Sequence, residues 1–186
     1  NSGDILIIGG RLDTTAFNAW CGTRPLLGRR LMLTRSVGQQ QVLHEHLTRL
    51  GALTTPLSVQ ELKPLYEQAN EQMYGALDQY DWLIFTSVNA VRFFFEGLEQ
   101  SPAHITDLSN ANVACVGPAT TAAVRAWGIQ VDLEPAQFTS EGLLESFAEH
   151  NLFDKRILLP RAQVARSILP ETLRAMDAQV DVIATY

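Results

Sequence analysis

Thr86-Ser87, Gly117-Pro118-Ala119-Thr120 and Arg161 share one context: each follows an apolar run and leads toward a helix. The runs are Trp82-Leu83-Ile84-Phe85, Val113-Ala114-Cys115-Val116 and Ile157-Leu158-Leu159-Pro160. In an open parallel sheet such junctions gather at the carboxyl ends of the strands, the rim where ligands bind. Helix starts carry unpaired backbone N–H groups and a partial positive charge, so a rim built from three of them favours an anionic ligand.

Each of these residues also has a plainer use. Thr86 and Ser87 donate hydrogen bonds, and equally cap the helix that follows. Thr120 and Thr121 lie in the first turn after Gly117, where a hydroxyl bonds the helix backbone or faces the rim. A guanidinium at Arg161 is well placed for a carboxylate, or is a solvated loop charge. Glu141, after Thr139-Ser140, is most simply a charge that complements a helix dipole. Tyr186 ends a strand, and its phenol is either a proton donor in a cleft or an amphipathic edge residue.

Several chemistries are disfavoured. The four histidines are scattered without metal-ligand spacing and read as surface residues. Cys21 and Cys115 match no CxxC pattern, and Cys115 inside an apolar strand reads as a small core residue. Gly9-Gly10 is no dinucleotide fingerprint, and Gly117-Pro118 lacks the glycines and Lys of a phosphate loop. With a net charge of −6 and no basic run, nucleic acid is not an expected partner. No segment approaches the roughly 18 apolar residues of a membrane span, and no signal peptide is visible, so no membrane partner and a cytoplasmic location are expected.

The elements that must position these residues follow from periodicity. A strand at 30–35 precedes a helix over 39–50 with Leu43, Leu47 and Leu50 on one face. Gly51 closes that helix, and the extended run 52–59 contains Pro56, which argues for an edge strand or a connector. A helix over 65–79, the strand 81–85, and a helix carrying Val88, Val91, Phe94, Phe95 and Leu98 come next. Three consecutive phenylalanines, Phe93 to Phe95, cannot share one helix face, so one must reach a second surface. Strands at 112–116, 129–133 and 156–160 alternate with helices over 118–127 and 141–150, and Pro170 fits the first turn of a helix to 176. This alternation predicts right-handed βαβ units in a parallel sheet. About five strands between 53 and 160 suffice for one flavodoxin-like domain, with strands at 31–34 and 180–185 assigned to a second. The strand Asp4 to Gly10 has nothing upstream to pair with, and the final strand stops without a polar tail, so both ends are expected to be cut from a longer chain.

The ordered series of motifs carries more than any one of them. Leu33-Thr34-Arg35, Asp81-Trp82-Leu83-Ile84-Phe85-Thr86-Ser87-Val88-Asn89-Ala90-Val91, Val116-Gly117-Pro118-Ala119-Thr120-Thr121, Glu141-Gly142-Leu143, Leu158-Leu159-Pro160-Arg161 and Tyr186 together resemble uroporphyrinogen-III synthase. Residues 4 to 25 resemble the tail of a uroporphyrinogen-III methyltransferase, as in fusions of the two enzymes. The resemblance implies two flavodoxin-like α/β parallel-sheet domains joined by a two-stranded connector, the first incomplete here. On that basis 1–28 is a methyltransferase tail or linker, 29–54 and 179–186 form the partial first domain, and 55–178 the second.

The resemblance further implies a cofactor-free, metal-free lyase acting as a monomer, beside a fused or neighbouring methyltransferase. Its reaction is cyclisation of hydroxymethylbilane to uroporphyrinogen III, with loss of water and inversion of ring D. Tyr186 matches the family tyrosine proposed to assist departure of the hydroxyl, and Thr120 a family threonine at the cleft. Thr86, Ser87, Gly117 and Arg161, with Arg35, Asn89, Thr121 and Glu141 from the same motifs, are the implied substrate-binding residues. The competing expectation is a flavodoxin-like ligand-binding module without catalysis.

Overall fold

Trp82-Leu83-Ile84-Phe85 is apolar at every position and buried on both faces, which is the signature of a central parallel strand. It forms the middle of the sheet in a computed structural model that describes residues 22–34, 37–57, 61–65 and 68–186. The chain divides into two compact units, Asn1–Leu62 and Lys63–Tyr186.

In the first unit, β1 (Arg30–Leu33) pairs in parallel with β2 (Leu53–Pro56), and α1 (Val37–Arg49) connects them. Among the described residues β2 is paired on one side only, as Pro56 requires. Gly51 adopts a φ of 95° and closes the turn after α1, where leucine-rich helix gives way to strand.

The second unit runs α2 (Gln68–Tyr74), β3 (Trp82–Phe85), α3 (Val88–Glu99), β4 (Asn112–Cys115), α4 (Pro118–Arg125), α5 (Ser140–Phe147), β5 (Arg156–Arg161), α6 (Ile168–Ala175) and β6 (Gln179–Ala184). Its all-parallel sheet has the order β4-β3-β5-β6. Taken in chain order these strands run 2-1-3-4, the arrangement that opens a flavodoxin-like sheet, with β3 at the topological switch. Leu83, Phe85, Val113 and Cys115 pack with α3 and α4 on one face. Trp82, Ile84, Ala114, Ile157 and Leu159 pack with α5 and α6 on the other.

Three expectations need correction. The strand 179–186, assigned to the first domain, instead pairs with β5 along six residues from Arg156↔Gln179 to Arg161↔Ala184 and belongs to the second unit. Val180 and Ile183 are buried on opposite faces of the sheet, and the strand that carries them closes its edge. The strand expected at 129–133 is reduced to one bridge, Ala114↔Leu133, because the Asp132 carboxylate takes the Val113 N–H at 2.8 Å and displaces a ladder bond. The helix expected over 65–79 is broken at Gly75 into α2 and a 3-10 turn, Leu77–Gln79. By contrast, Phe94 and Phe95 lie in the core beneath α3 while Phe93 turns to stack on Tyr186, the second surface that three consecutive phenylalanines demand.

The amino end of this sheet is closed by paired charges. Lys155 Nζ lies 2.7 Å from Asp81, Arg156 lies 3.3 Å from Asp181, and the Tyr80 hydroxyl donates to Asp181 at 2.8 Å. Burial alone would raise Asp81, but the Lys155 ammonium and the Arg156 backbone N–H outweigh it and hold its carboxyl below the usual carboxylate range. A carboxylate depressed in the folded state adds stability above its unfolded value of about 4 and loses it as pH falls through the folded value. Asp81→Asn is therefore expected to lower Tm at pH 7 and to lose less than the parent between about pH 5 and pH 2. Thermal melts across that range check this, and equal acid losses in the two proteins would contradict it.

Candidate active site

The site begins with a proline. β3 and β5 pair only at Trp82↔Ile157 and Leu83↔Leu158, whereas β5 stays paired with β6 as far as Arg161↔Ala184. Along β5, the carbonyls of Lys155 and Arg161 face β6 and that of Arg156 faces β3. Alternation along the strand turns the nitrogen of Pro160 toward β3, where it has no hydrogen to donate. The ladder therefore stops, and the carboxyl ends of β3 and β5 separate at the switch point, the place where open α/β sheets bind ligands.

A cavity of about 300 Å³ occupies this crevice. Thr86 from the end of β3, Leu159 and Arg161 from β5, Ser140 from the first turn of α5, Ala165 and Arg166 from the following loop, and Leu169 from α6 line it. Arg161 is only 9% exposed. Its Nη2 donates to the Arg166 carbonyl at 2.6 Å, and it forms no ion pair among the described residues. A guanidinium has five N–H donors, so most of its capacity is unspent here. Burial pulls its titration below the ordinary arginine value, and the residue stays charged at neutral pH. The Arg161 guanidinium and a helix start around an apolar-floored cavity, with Arg166 at its edge, suit a carboxylate carried on a short aliphatic arm.

A second polar pair lies beside the cavity. Ser87 caps α3 by accepting from the Ala90 N–H at 3.1 Å, and its Oγ is also 3.1 Å from the Tyr186 hydroxyl. The Tyr186 ring stacks on Phe93 with centroids 5.2 Å apart, and Arg92 lies over the other ring at 4.1 Å. The Gln163 N–H donates to the Tyr186 carbonyl at 2.8 Å, which ties the loop after β5 to the residues after β6.

A family model described as uroporphyrinogen-III synthase HemD matches residues 41–186. The chain belongs to the uroporphyrinogen-III synthase family. It is 27% identical over 171 residues to a porphyrin biosynthesis protein HemD of Ruminiclostridium josui, covering 90% of this chain and 34% of that one. It is 32% identical over 126 residues to a putative uroporphyrinogen-III synthase of Methanothermobacter thermautotrophicus, covering 68% and 49%. A uroporphyrinogen-III synthase of Synechococcus elongatus is 28% identical over 165 residues, covering 88% and 62%. The chain thus spans less than two thirds of each of these relatives. Crystal structures of Thermus thermophilus uroporphyrinogen III synthase share the fold, one with a TM-score of 0.65 at 17% identity, covering 84% of this chain and 61% of that one.

Of the synthase residues expected from sequence, Thr86 and Arg161 meet in the cavity, and Ser87 and Tyr186 meet in a hydrogen bond. Asn89 is half-buried in the first turn of α3 and Glu141 is exposed in the first turn of α5; neither lines the cavity. Gly117 caps α4, and Thr120 is buried one turn along it. Thr121 is buried and donates to the Glu134 carboxylate, a bond that fixes α4 against the chain after Gly128. Arg35 and the segment compared with a methyltransferase tail, up to residue 21, lie outside the described residues. Cys115 is fully buried, and burial pushes its thiol up to about 12, which leaves no thiolate for nucleophilic chemistry at neutral pH. Sequence reasoning missed Arg166 and Ser140. The signal for Arg166 was a second arginine five residues after a strand-terminal arginine, and for Ser140 its place between a capping threonine and Glu141.

A buried guanidinium without a counter-charge costs stability that its ligand must return. Arg161→Met is therefore expected to leave Tm within about 4 °C of the parent or above it in buffer free of multivalent anions. A fall of more than about 8 °C in thermal melts would show instead that the guanidinium holds the fold together.

Proposed function

We propose that this chain carries the substrate-binding crevice and the proton donor of a uroporphyrinogen-III synthase, a lyase that closes hydroxymethylbilane into uroporphyrinogen III. The observation that carries the proposal is Arg161, buried and in no ion pair among the described residues, in a crevice that also holds Thr86 and Ser140, beside the Ser87–Tyr186 pair. The linear substrate bears eight carboxylates on short arms, the chemistry that this crevice fits. On this proposal 29–54 belongs to the first synthase domain and 63–186 to the second, and the polypeptide works as a monomer in the cytoplasm beside a methyltransferase.

The reaction follows from the groups present. As the C–O bond of the hydroxymethyl group breaks, the pyrrole nitrogen lone pair pushes in to form an azafulvene that keeps its N–H and carries a positive charge. The Tyr186 phenol gives its proton to the departing oxygen, which leaves as water, and the Ser87 hydroxyl stabilises the phenolate by donating to it. The substituted carbon of ring D then attacks the exocyclic carbon to form a spirocyclic intermediate. The bond from that carbon to its original methylene then breaks, the methylene rejoins ring D at the free α-carbon so that the ring is inverted, and loss of that carbon's proton to the phenolate restores the aromatic pyrrole and the phenol. Unassisted closure gives the type I isomer, so the protein's larger task is to hold the chain folded with ring D in reach. Carboxylate contacts at Arg161, Thr86 and Gly117 supply that positioning, with Thr120 at the first turn of α4.

The test is a coupled assay with freshly generated hydroxymethylbilane, scoring type III against type I product for the longest polypeptide that carries this chain. Type III product supports the synthase, whereas type I alone favours a binding module without catalysis. Tyr186→Phe is expected to lower kcat by about 10²-fold or more with little change in KM, as loss of a general acid does. An unchanged kcat removes the phenol from the chemistry.

A further inference from the structure

Phe138 is a large aromatic left 58% exposed, yet it sits in a turn that is closed by hydrogen bonds and by a close backbone approach. The Thr139 N–H donates to the Gln137 carbonyl at 2.8 Å, and the Thr139 hydroxyl accepts from the Gly142 N–H at 3.0 Å. A Cβ on Gly142 would stand 2.3 Å from the Gln137 carbonyl oxygen, so only glycine lets the start of α5 close onto this turn. The turn in consequence presents Phe138 in one place. That place is the carboxyl rim, over Gly117, where a Cβ would stand 3.2 Å from the Phe138 Cβ and 3.4 Å from its Cγ. Gly117 has an extended backbone, with φ at −169°, so its lack of a side chain serves space rather than conformation. The base of the aromatic ring uses that space, and most of the ring is left in solvent.

Two residues further on, Ser140 lines the cavity that holds Arg161. The rim therefore alternates an exposed aromatic face with sites for carboxylates. Resting on the synthase proposal, we infer that Phe138 is a specificity-determining residue that takes a pyrrole ring of the linear tetrapyrrole against its face while that ring's carboxylate arms reach Arg161 and the helix starts. A pyrrole is an electron-rich aromatic ring flanked by carboxylate arms, and it matches this alternation in both chemistry and order. Aromatic faces in contact favour offset or tilted stacking, which constrains the plane of the ring as well as its position. Control of ring planes bears directly on which carbon of ring D meets the azafulvene.

The alternative role for Phe138 is a cover for Gly117 and the start of α4, which any side chain of similar bulk would fill. Phe138→Leu keeps that packing and removes the aromatic face, Phe138→Tyr keeps both, and Phe138→Ala removes both. In the polypeptide that makes type III product, Phe138→Leu is expected to raise KM about 3- to 10-fold and to increase the type I share of product, at an unchanged Tm. Phe138→Tyr is expected to match the parent in KM and isomer ratio. Parental KM and isomer ratio in Phe138→Leu would overturn the inference while leaving the synthase proposal standing, even where Phe138→Ala fails to fold. Absence of type III product from the parent itself would overturn the synthase proposal, and the inference with it.

Discussion

The end of the β3–β5 ladder at Leu83↔Leu158 governs everything on the carboxyl rim. Had the ladder continued, Ile84 and Phe85 would be locked to Leu159 and Pro160, and the two strands would leave no room between their ends. The missing N–H of Pro160 removes the bond that would hold them, and β6 keeps β5 in the sheet by pairing to Arg161↔Ala184. The strand is thus anchored on one side and released on the other. The release places Thr86 and Arg161 across a crevice, and the anchorage brings Tyr186, two residues beyond β6, back to Ser87. One imino acid inside an otherwise apolar strand connects the packing of the sheet to the placement of its polar groups.

The two rims of the sheet divide their charges differently. At the amino rim, Asp81 meets Lys155 and the Arg156 N–H, and Asp181 meets Arg156 and Tyr80, so charge is balanced locally. At the carboxyl rim, Arg161 is more deeply buried than any of these charges and has a carbonyl as its hydrogen-bond partner. Partly exposed pairs such as Lys155–Asp81 stabilise by little and ask for nothing further. A buried guanidinium served by a neutral acceptor keeps a desolvation cost that a bound anion would offset, which is why the proposed site is placed here. The net charge of −6 does not oppose this, because the nearest charges and dipoles decide what a crevice attracts.

Much of this was legible in the sequence where local pattern and tertiary role coincide. The apolar run of β3, the capping Ser87 and the strand-terminal Arg161 all followed from residue type and neighbours. Ordered motifs, none diagnostic singly, pointed to the family. What was not legible depended on contacts remote in sequence. Asp132 gives its carboxylate to Val113 and so dissolves a strand that periodicity predicts. The partner of β6 was ambiguous, since a terminal apolar run fits either sheet and only the register with β5 decides. Arg166 and Phe138 sit in exposed turns, where polarity and isolated aromatics carry no periodic signal, and their significance comes from the elements that happen to face them.

The proposed synthase site requires that the carboxyl rim of the second unit take a polycarboxylate built of pyrroles. Amide chemical shifts of the isotope-labelled chain, titrated with uroporphyrin III as a stable octacarboxylate, test it most directly. Perturbations are expected to concentrate at Thr86, Ser87, Gly117, Phe138, Ser140 and Arg161, and to weaken across the set in Arg161→Met. Perturbations concentrated at Asp81, Lys155 and Asn112 on the amino rim, or shifts indifferent to Arg161→Met, would contradict it.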